Sequence, residues 1–357
     1  MYDTRFISTV SKSPTPLTTK WEAPSNIALV KYWGKTEPQL PKNPSLSFTL
    51  SSSVTTTEVA FTPSSLNNFG FEFYFEGVLK PEFHPKLETF FERIANYIPW
   101  IAAYTLKINS RNSFPHSSGI ASSASAMAAL SMCLMDMEKT LFPQLTITEF
   151  NQKASFLARL GSGSAARSIE GPVTLWGANS IYRTGSDLYA SAFGTALHPV
   201  FNTYQDTILL VDKGSKAVSS TQGHQLMYNH PFADQRFIQA NQNITALVPH
   251  MQAGDLEGFI KIVETEALSL HAMMMTSDPY FILMQPNTLE IIHRIWEYRK
   301  QTQIPLCFTL DAGANVHVLY PKANKDEVRT FIADHLAKYC QQNQYLYDEV
   351  GKGAKKV

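Results

Sequence analysis

The segment Pro115-His-Ser-Ser-Gly-Ile-Ala-Ser-Ser-Ala124 runs straight into Ser125-Ala-Met-Ala-Ala-Leu-Ser-Met-Cys-Leu-Met135. No other junction in the chain constrains the fold as much. Ala, Leu and Met are strong helix formers, and the run is small or apolar on every face. The pattern therefore predicts a helix covered on all sides, which requires a layered core around it. The residues before the helix are small at nearly every position. Small side chains let backbone N–H groups approach an anion closely, and a helix N-terminus adds roughly half a positive charge. Gly119 and Ala121 would line this loop, and Ser122 and Ser123 would add hydroxyl donors. An ordinary capped helix after a glycine turn fits the same residues. The GxxxxGK[ST] phosphate loop is absent, so that nucleotide-binding family is excluded.

A chain of 357 residues with 44% hydrophobic and 17% charged residues can bury such a core, in one large domain or two intimately joined ones. Lys plus Arg and Asp plus Glu both number 30, so the global charge gives no reason to expect nucleic acid or an anionic membrane. Affinity for anions must come from local clusters. The three cysteines, Cys133, Cys307 and Cys340, lack paired or metal-ligand spacing and read as free thiols in a reducing compartment. The start carries no basic segment leading into an apolar core, and no apolar stretch reaches about 18 residues. A cytoplasmic protein without a membrane span is expected.

The coarse pattern is α+β. Strands are expected at 26–30, 45–57, 71–78, 106–109, 172–176 and 207–211, and helices at 86–97, 122–135 and 148–160. Residues 231–300 read as mostly helical, most clearly at 256–272 and 288–300. Strands at 307–310 and 316–319 flank a turn, and 325–339 reads as a final helix. This divides the chain into a loose arm (1–20), an N-terminal lobe (21–205), a C-terminal lobe (206–345) and a frayed basic tail (346–357).

Three further segments carry chemistry. Lys31-Tyr-Trp-Gly-Lys35 sets two cations around Tyr32, Trp33 and Gly34, which suits a diphosphate or a carboxylate, or else a solvated lysine pair beside a core Trp. Ser162-Gly-Ser-Ala-Ala-Arg167 offers backbone N–H groups, the hydroxyls of Ser162 and Ser164, and a guanidinium that can hold a carboxylate or phosphate with two parallel bonds. The same stretch also suits a cap between two helices, with Gly163, Ala165 and Ala166 as spacers. Asp311, in Thr309-Leu-Asp-Ala-Gly-Ala-Asn315, lies in a Gly-containing turn among apolar residues, either as a functional acid or as a turn-former.

The Pro115–Ala124 segment resembles the second motif of the GHMP superfamily of small-molecule kinases, with Ile120 in place of its Leu. Together with Asn26-Ile-Ala-Leu-Val-Lys-Tyr-Trp-Gly-Lys35, Gly161-Ser-Gly-Ser-Ala-Ala-Arg-Ser168, Val218-Ser-Ser-Thr-Gln-Gly223 and Asp311-Ala-Gly-Ala-Asn315, it resembles the mevalonate diphosphate decarboxylase branch. The matching segments fall in family order between about residues 23 and 320. Kinase branches usually carry an Asp where Arg167 stands here, and the acid sits instead at Asp311. Departures include Ala166 for Cys, Ala314 for Pro, Glu170-Gly-Pro172 for an aromatic-Gly-Gly, and His116 and Ser117 in the phosphate loop. Lys86 is the nearest candidate for a family Arg that contacts the diphosphate.

The resemblance implies a two-lobed fold, with an N-terminal lobe like ribosomal protein S5 and a helix-rich C-terminal lobe that holds a small antiparallel sheet. It also implies ATP with Mg²⁺, a homodimer, and decarboxylation of 5-diphosphomevalonate to isopentenyl diphosphate. A phosphomevalonate decarboxylase and a kinase without decarboxylation are the alternatives. Carried over residue by residue, Asp311, Lys31, Arg167 and Ser123 would be catalytic. Tyr32, Trp33, Gly34, Lys35, the 162–167 loop and Thr221 would bind substrate, and Gly119, Ala121, Ser122 and Ser123 would bind the nucleotide. No protein metal site is expected, because no His, Cys or carboxylate cluster has ligand spacing.

Overall fold

The computed structural model describes residues 3–9, 13–64, 69–115, 120, 122–214 and 220–357, with the side chains of Ser220 and Thr221 outside that description. Gly119 and Ala121, and with them His116 and Ser117, therefore lie outside the described residues. The elements run β1 (Leu17–Val30), a ribbon of β2 (Lys35–Thr36) and β3 (Leu40–Pro41), β4 (Ser45–Pro63), β5 (Gly70–Phe75), β6 (Val78–Leu79), α1 (His84–Ile94) and β7 (Tyr104–Asn112). Then come α2 (Ser122–Leu141), α3 (Ile147–Gly161), β8 (Val173–Trp176), β9 (Ala190–Ala192) and β10 (Gln205–Leu209). The remainder is α4 (Ser220–Gln225), α5 (Ala233–Ala253), α6 (Leu256–Met275), α7 (Pro286–Thr302), β11 (Cys307–Leu310), β12 (Val316–Tyr320), α8 (Lys325–Phe331), β13 (Tyr345–Glu349) and β14 (Lys355–Lys356).

An eight-stranded sheet follows the order β14-β1-β4-β7-β5-β6, with β8 also paired to β4 and β9 to β8. Strand β4 is 19 residues long because it serves two neighbours in turn: Ser45–Phe48 pair with β8, and Thr55–Pro63 pair with β7. Several of its buried Ser and Thr residues are accommodated because their hydroxyls find partners, whereas Ser47 Oγ has none among the described residues. Thr55 Oγ1 bonds Asn112 and Ser125, and Thr57 Oγ1 meets Ser110 Oγ. The expected burial of α2 is observed: nearly all its apolar residues, including Met127, Leu130, Cys133, Leu134 and Met137, lie in the core, with Ala126 only part-buried. Strand β1 is buried continuously from Ala23 to Val30, as a strand covered on both faces should be.

The second sheet has four antiparallel strands in the order β11-β12-β10-β13. Alternation divides its side chains between two cores. Phe308, Leu310, Val316, Val318 and Tyr320 pack with α7 and the C-terminal helical turns. Cys307, Leu319 and Ile208 pack toward Phe48, Phe201 and Phe259, in a core shared with the strands of the large sheet.

Three local expectations are corrected. The arm is docked: Phe6 is buried with its ring stacked 4.2 Å from Phe156, and Ser8 Oγ donates to Glu138 Oε2 at 2.7 Å. Phe6 anchors it because an aromatic ring fills a gap in the helical core. The tail is paired: β14 lies on β1 at Trp21 and Glu22, with ion pairs Lys355–Glu22 and Lys356–Asp136 at 2.9 and 2.6 Å. The final helix changes pitch, with α8 followed by a π turn at Ile332–Leu336 and a 3-10 turn at Ala337–Tyr339.

Buried Asp348 on β13 fastens the two sheets. Its carboxylate accepts N–H groups from Ser51, Ser52 and Ser53 of β4 at 2.9, 2.8 and 2.7 Å. Charge-assisted bonds of this kind contribute about 1.5–3 kcal/mol each, and not additively. Asp348→Ala is expected to lower the unfolding free energy by about 3 kcal/mol in urea titration, while Asp348→Asn loses less.

Candidate active site

Strand β1 ends at Val30, and the next residue turns inward. Lys31 is buried, with 2% of its side chain exposed, and Nζ sits 3.2 Å from Asp311 Oδ1, a residue 280 positions later. Its main chain is held as firmly. The N–H donates to Glu266 Oε2 on α6 at 2.8 Å, and the carbonyl accepts from Asn43 Nδ2 at 2.9 Å. Glu266 is fully buried and held by both terminal nitrogens of Arg236 on α5 and by Asn243. Burial pulls the Lys31 ammonium below the ordinary lysine range, and Asp311 and Glu266 oppose that shift.

Asp311 opens the β11–β12 hairpin, where Gly313 N–H donates to its carbonyl at 2.7 Å. His271 Nε2 lies 3.1 Å from the same carbonyl. Burial pulls His271 down to about 4, so the ring is neutral near pH 7 and Nε2 is the donor. About 29% of the Asp311 side chain remains exposed, in contrast to its lysine partner. In the sheet below, His317 Nδ1 lies 2.7 Å from Asp206 Oδ2 in a buried pair.

Arg167 lies in a 3-10 turn, Gly163–Ser168, that follows α3. Its Nε donates to Asn26 Oδ1 at 3.1 Å and Nη1 to Ser45 Oγ at 2.8 Å, and the guanidinium lies 5.9 and 5.5 Å from the Tyr32 and Trp176 rings. Burial lowers it to about 10, with the Asp311 charge opposing. Among the described residues it has only neutral hydrogen-bond partners, so a buried guanidinium is left without a bonded anion. Gly163 permits this packing: a Cβ there would come within 2.8 Å of Tyr32 Oη.

The structure brings together Lys31, Asp311, Tyr32 and Arg167, and Asp311 acts on Arg167 through its field. Lys35 is turned differently, with Nζ on Gln39 at 2.9 Å and near Glu37 at 3.8 Å. Trp33 is buried among Leu270, Met274 and Met227. Ser164 and Ser162 are part-buried, and Ala165 and Ala166 are core. Thr221 lies on α4.

Ser122 and Ser123 occupy the N-terminus of α2, as expected, and Ser123 Oγ lies 3.2 Å from Ser162 Oγ. A cavity of about 660 Å³, open mouth included, starts at these serines. Phe73, Phe75 and Phe83 wall it, and Lys86 lines it too. The structure therefore places Lys86 beside the α2 serines. Among the described residues no group of His, Cys, Asp and Glu could hold a metal ion, and no helix is long and apolar enough to cross a membrane.

Glu266, Arg236, Asn43, Ser45 and His271 were not singled out in the sequence. Asn43 lies in the bend between β3 and β4, the others on helices or strands whose pattern explains their neighbours but not themselves, and a buried charge in an apolar helix such as Glu266 was the one available signal.

Comparison with known proteins bears on this geometry. Residues 23–190 match the model of a diphosphomevalonate decarboxylase-like N-terminal domain, and residues 207–356 that of a mevalonate 5-diphosphate decarboxylase C-terminal domain. The chain is 30% identical to a diphosphomevalonate decarboxylase of Ganoderma lucidum, over 92% of this chain and 84% of that one. It is also 26% identical to a phosphomevalonate decarboxylase of Haloferax volcanii, over 86% and 89%. Among solved structures, mevalonate diphosphate decarboxylase from Staphylococcus aureus superposes with a TM-score of 0.81 at 28% identity, covering 96% and 98%. A second, solved in complex with MVAPP, AMPPCP and magnesium, also gives 0.81 at 28% identity, covering 96% and 99%.

Two site histidines make the fold acid-sensitive. Burial holds His271 at about 4 and His224 at about 3, well below their ordinary value. The unfolded chain takes up these protons first, so the stabilisation is complete above about pH 6.5 and is lost as pH falls toward the folded values. Urea unfolding is expected to lose about 1.4 kcal/mol per pH unit for each ring near pH 5, and His271→Gln should remove one share of that slope.

Proposed function

This chain belongs to the mevalonate 5-diphosphate decarboxylase family, and from that premise we propose how its residues divide the work of ATP-dependent decarboxylation of (R)-5-diphosphomevalonate. The products are isopentenyl diphosphate, ADP, phosphate and CO₂. The observation that carries the proposal is a buried cationic cleft with a single half-open acid: Lys31 and Arg167 around Asp311.

The chemistry needs three things. A tertiary hydroxyl is a poor leaving group until it is phosphorylated. Its departure as phosphate then leaves positive character at that carbon, and the C–C bond to the carboxylate supplies the electrons as CO₂ leaves. Asp311 accepts the hydrogen bond of the hydroxyl and orients it toward the γ-phosphoryl group. Lys31 keeps Asp311 in place and offers a desolvated positive charge to the developing anion. Arg167, preset by Asn26 and Ser45, takes the substrate carboxylate as its missing anion. Lys35, the backbone of 162–166 and Thr221 hold the phosphate-bearing end, beside Tyr32, Trp33 and Gly34.

Ser122 and Ser123 at the start of α2 receive the ATP phosphates, with the adjoining Phe-walled cavity for the base. Gly119 and Ala121 belong to the same loop in this reading. The donors at this end are hydroxyls and backbone N–H groups rather than a carboxylate cluster, which fits Mg²⁺ carried by the nucleotide. Mg²⁺ neutralises phosphate charge there. A homodimeric, cytoplasmic enzyme completes the proposal, and sedimentation velocity tests the dimer.

Coupled ADP and CO₂ release from the diphosphate and the monophosphate, assayed in parallel, tests the whole. Equal ADP and CO₂ from the diphosphate is expected; turnover of the monophosphate alone moves the chain to the activity named for the Haloferax relative. Asp311→Asn is expected to lower kcat by about 10²–10⁴ while ATP binding by calorimetry is retained. Lys31 must stay protonated, so kcat/KM is expected to fall at alkaline pH with a midpoint below the ordinary lysine value of about 10.4. Lys31→Arg should move that limb upward at reduced rate.

A further inference from the structure

Helix α4 sets a histidine into the middle of the cationic cleft. The His224 ring lies between Tyr32 and Trp33, at centroid distances of 4.3 and 4.7 Å. Gly34 N–H donates to His224 Nδ1 at 2.9 Å. Gly34 has φ +94°, and a Cβ there would come within 2.8 Å of Phe237, so this turn is tied to glycine and aims its N–H at the ring. A ring nitrogen that accepts a hydrogen bond carries no proton. In a neutral imidazole the hydrogen then sits on the other nitrogen. The ring stays neutral because burial, with the fields of Lys35 and Arg167, pulls it down to about 3. His224 is 8% exposed, and among the described residues Nε2 has no partner. An oriented donor therefore stands unused within the field of two cations.

We propose that His224 is a specificity-determining residue, whose Nε2–H donates to a phosphate oxygen of the substrate. This rests on the decarboxylase reading above and names a contact within the same site. A neutral donor suits the position. It binds an anion without adding charge to a cleft already crowded with cations, and its direction is set by the two aromatic faces and Gly34 before substrate arrives. The ring is bonded to Gly34, the residue next to Lys35, which assigns His224 to the phosphate-bearing end rather than to the carboxylate.

Two substitutions separate recognition from mere support. His224→Asn keeps an acceptor where Nδ1 receives Gly34 and removes the Nε2 donor. His224→Gln places an amide donor near Nε2 and gives up the Gly34 acceptor. Both lose the stacked ring, and thermal melting reports any shared loss of folding. His224→Asn is expected to raise KM for diphosphomevalonate, and the Kd of inorganic pyrophosphate by calorimetry, about 10- to 100-fold with kcat within about threefold. His224→Gln should stay within about threefold of the parent in both. The opposite ranking, or two equally impaired or equally unaffected variants, overturns the proposal. In the unsubstituted protein, pyrophosphate should shift the ¹⁵N resonance of His224 Nε2, and an unmoved resonance also overturns it. If the parent does not release CO₂ yet the pyrophosphate pattern holds, the decarboxylase reading fails and the anion contact of His224 stands.

Discussion

A lysine ammonium buried to within 2% of its side chain is the constraint on which the rest of this structure depends. Removing that charge from water costs several kcal/mol unless it is met by an opposite charge in good geometry. Here three separate parts of the chain meet Lys31, Asp311 at Nζ, Glu266 at the N–H and Asn43 at the carbonyl, and Arg236 backs Glu266. The β11–β12 hairpin, α5 and α6 are thereby fixed relative to the end of β1. Losing any one of these partners would strand a charge, a donor or an acceptor in the interior, so the network stands or falls as a unit.

The cleft is divided by chemistry. Hydroxyls and a helix N-terminus lie at one end, with Ser122 and Ser123; cations lie at the other, with Lys31 and Arg167. The Ser123–Ser162 contact at 3.2 Å is where the two ends touch. In the proposed reading a phosphoryl group crossing from nucleotide to hydroxyl would pass near this seam, and the hydroxyl pair would register the two substrates against one another.

Much of this was legible beforehand because it is local. The apolar run behind Ser123 reads as a buried helix, and the two short strands around Asp311 read as a pair joined by a short turn, as both are. The resemblance supplied which separated segments meet. What could not be read depends on partners distant in sequence. Arg236 looks like an ordinary surface charge on a helix until Glu266 is placed beside it. The arm and tail looked loose because each is polar along most of its length. One ring, Phe6, settles the first, and a two-residue strand the second. His224 was passed over for another reason: a lone histidine gives no sign of its tautomer until the N–H that faces it is known.

The pairing of β14 with β1 has a consequence for how the molecule is made. A chain emerging from the ribosome presents β1 long before Lys355 and Lys356 exist. Through that interval the outer side of β1 at Trp21 and Glu22 is an open sheet edge, with unpaired N–H and C=O groups available to another chain. Asp311 likewise reaches Lys31 across 280 residues, among the slowest kinds of contact to form. Premature termination only a few residues short would leave the cleft nearly intact and the edge uncovered, giving a product prone to self-association before it is prone to inactivity.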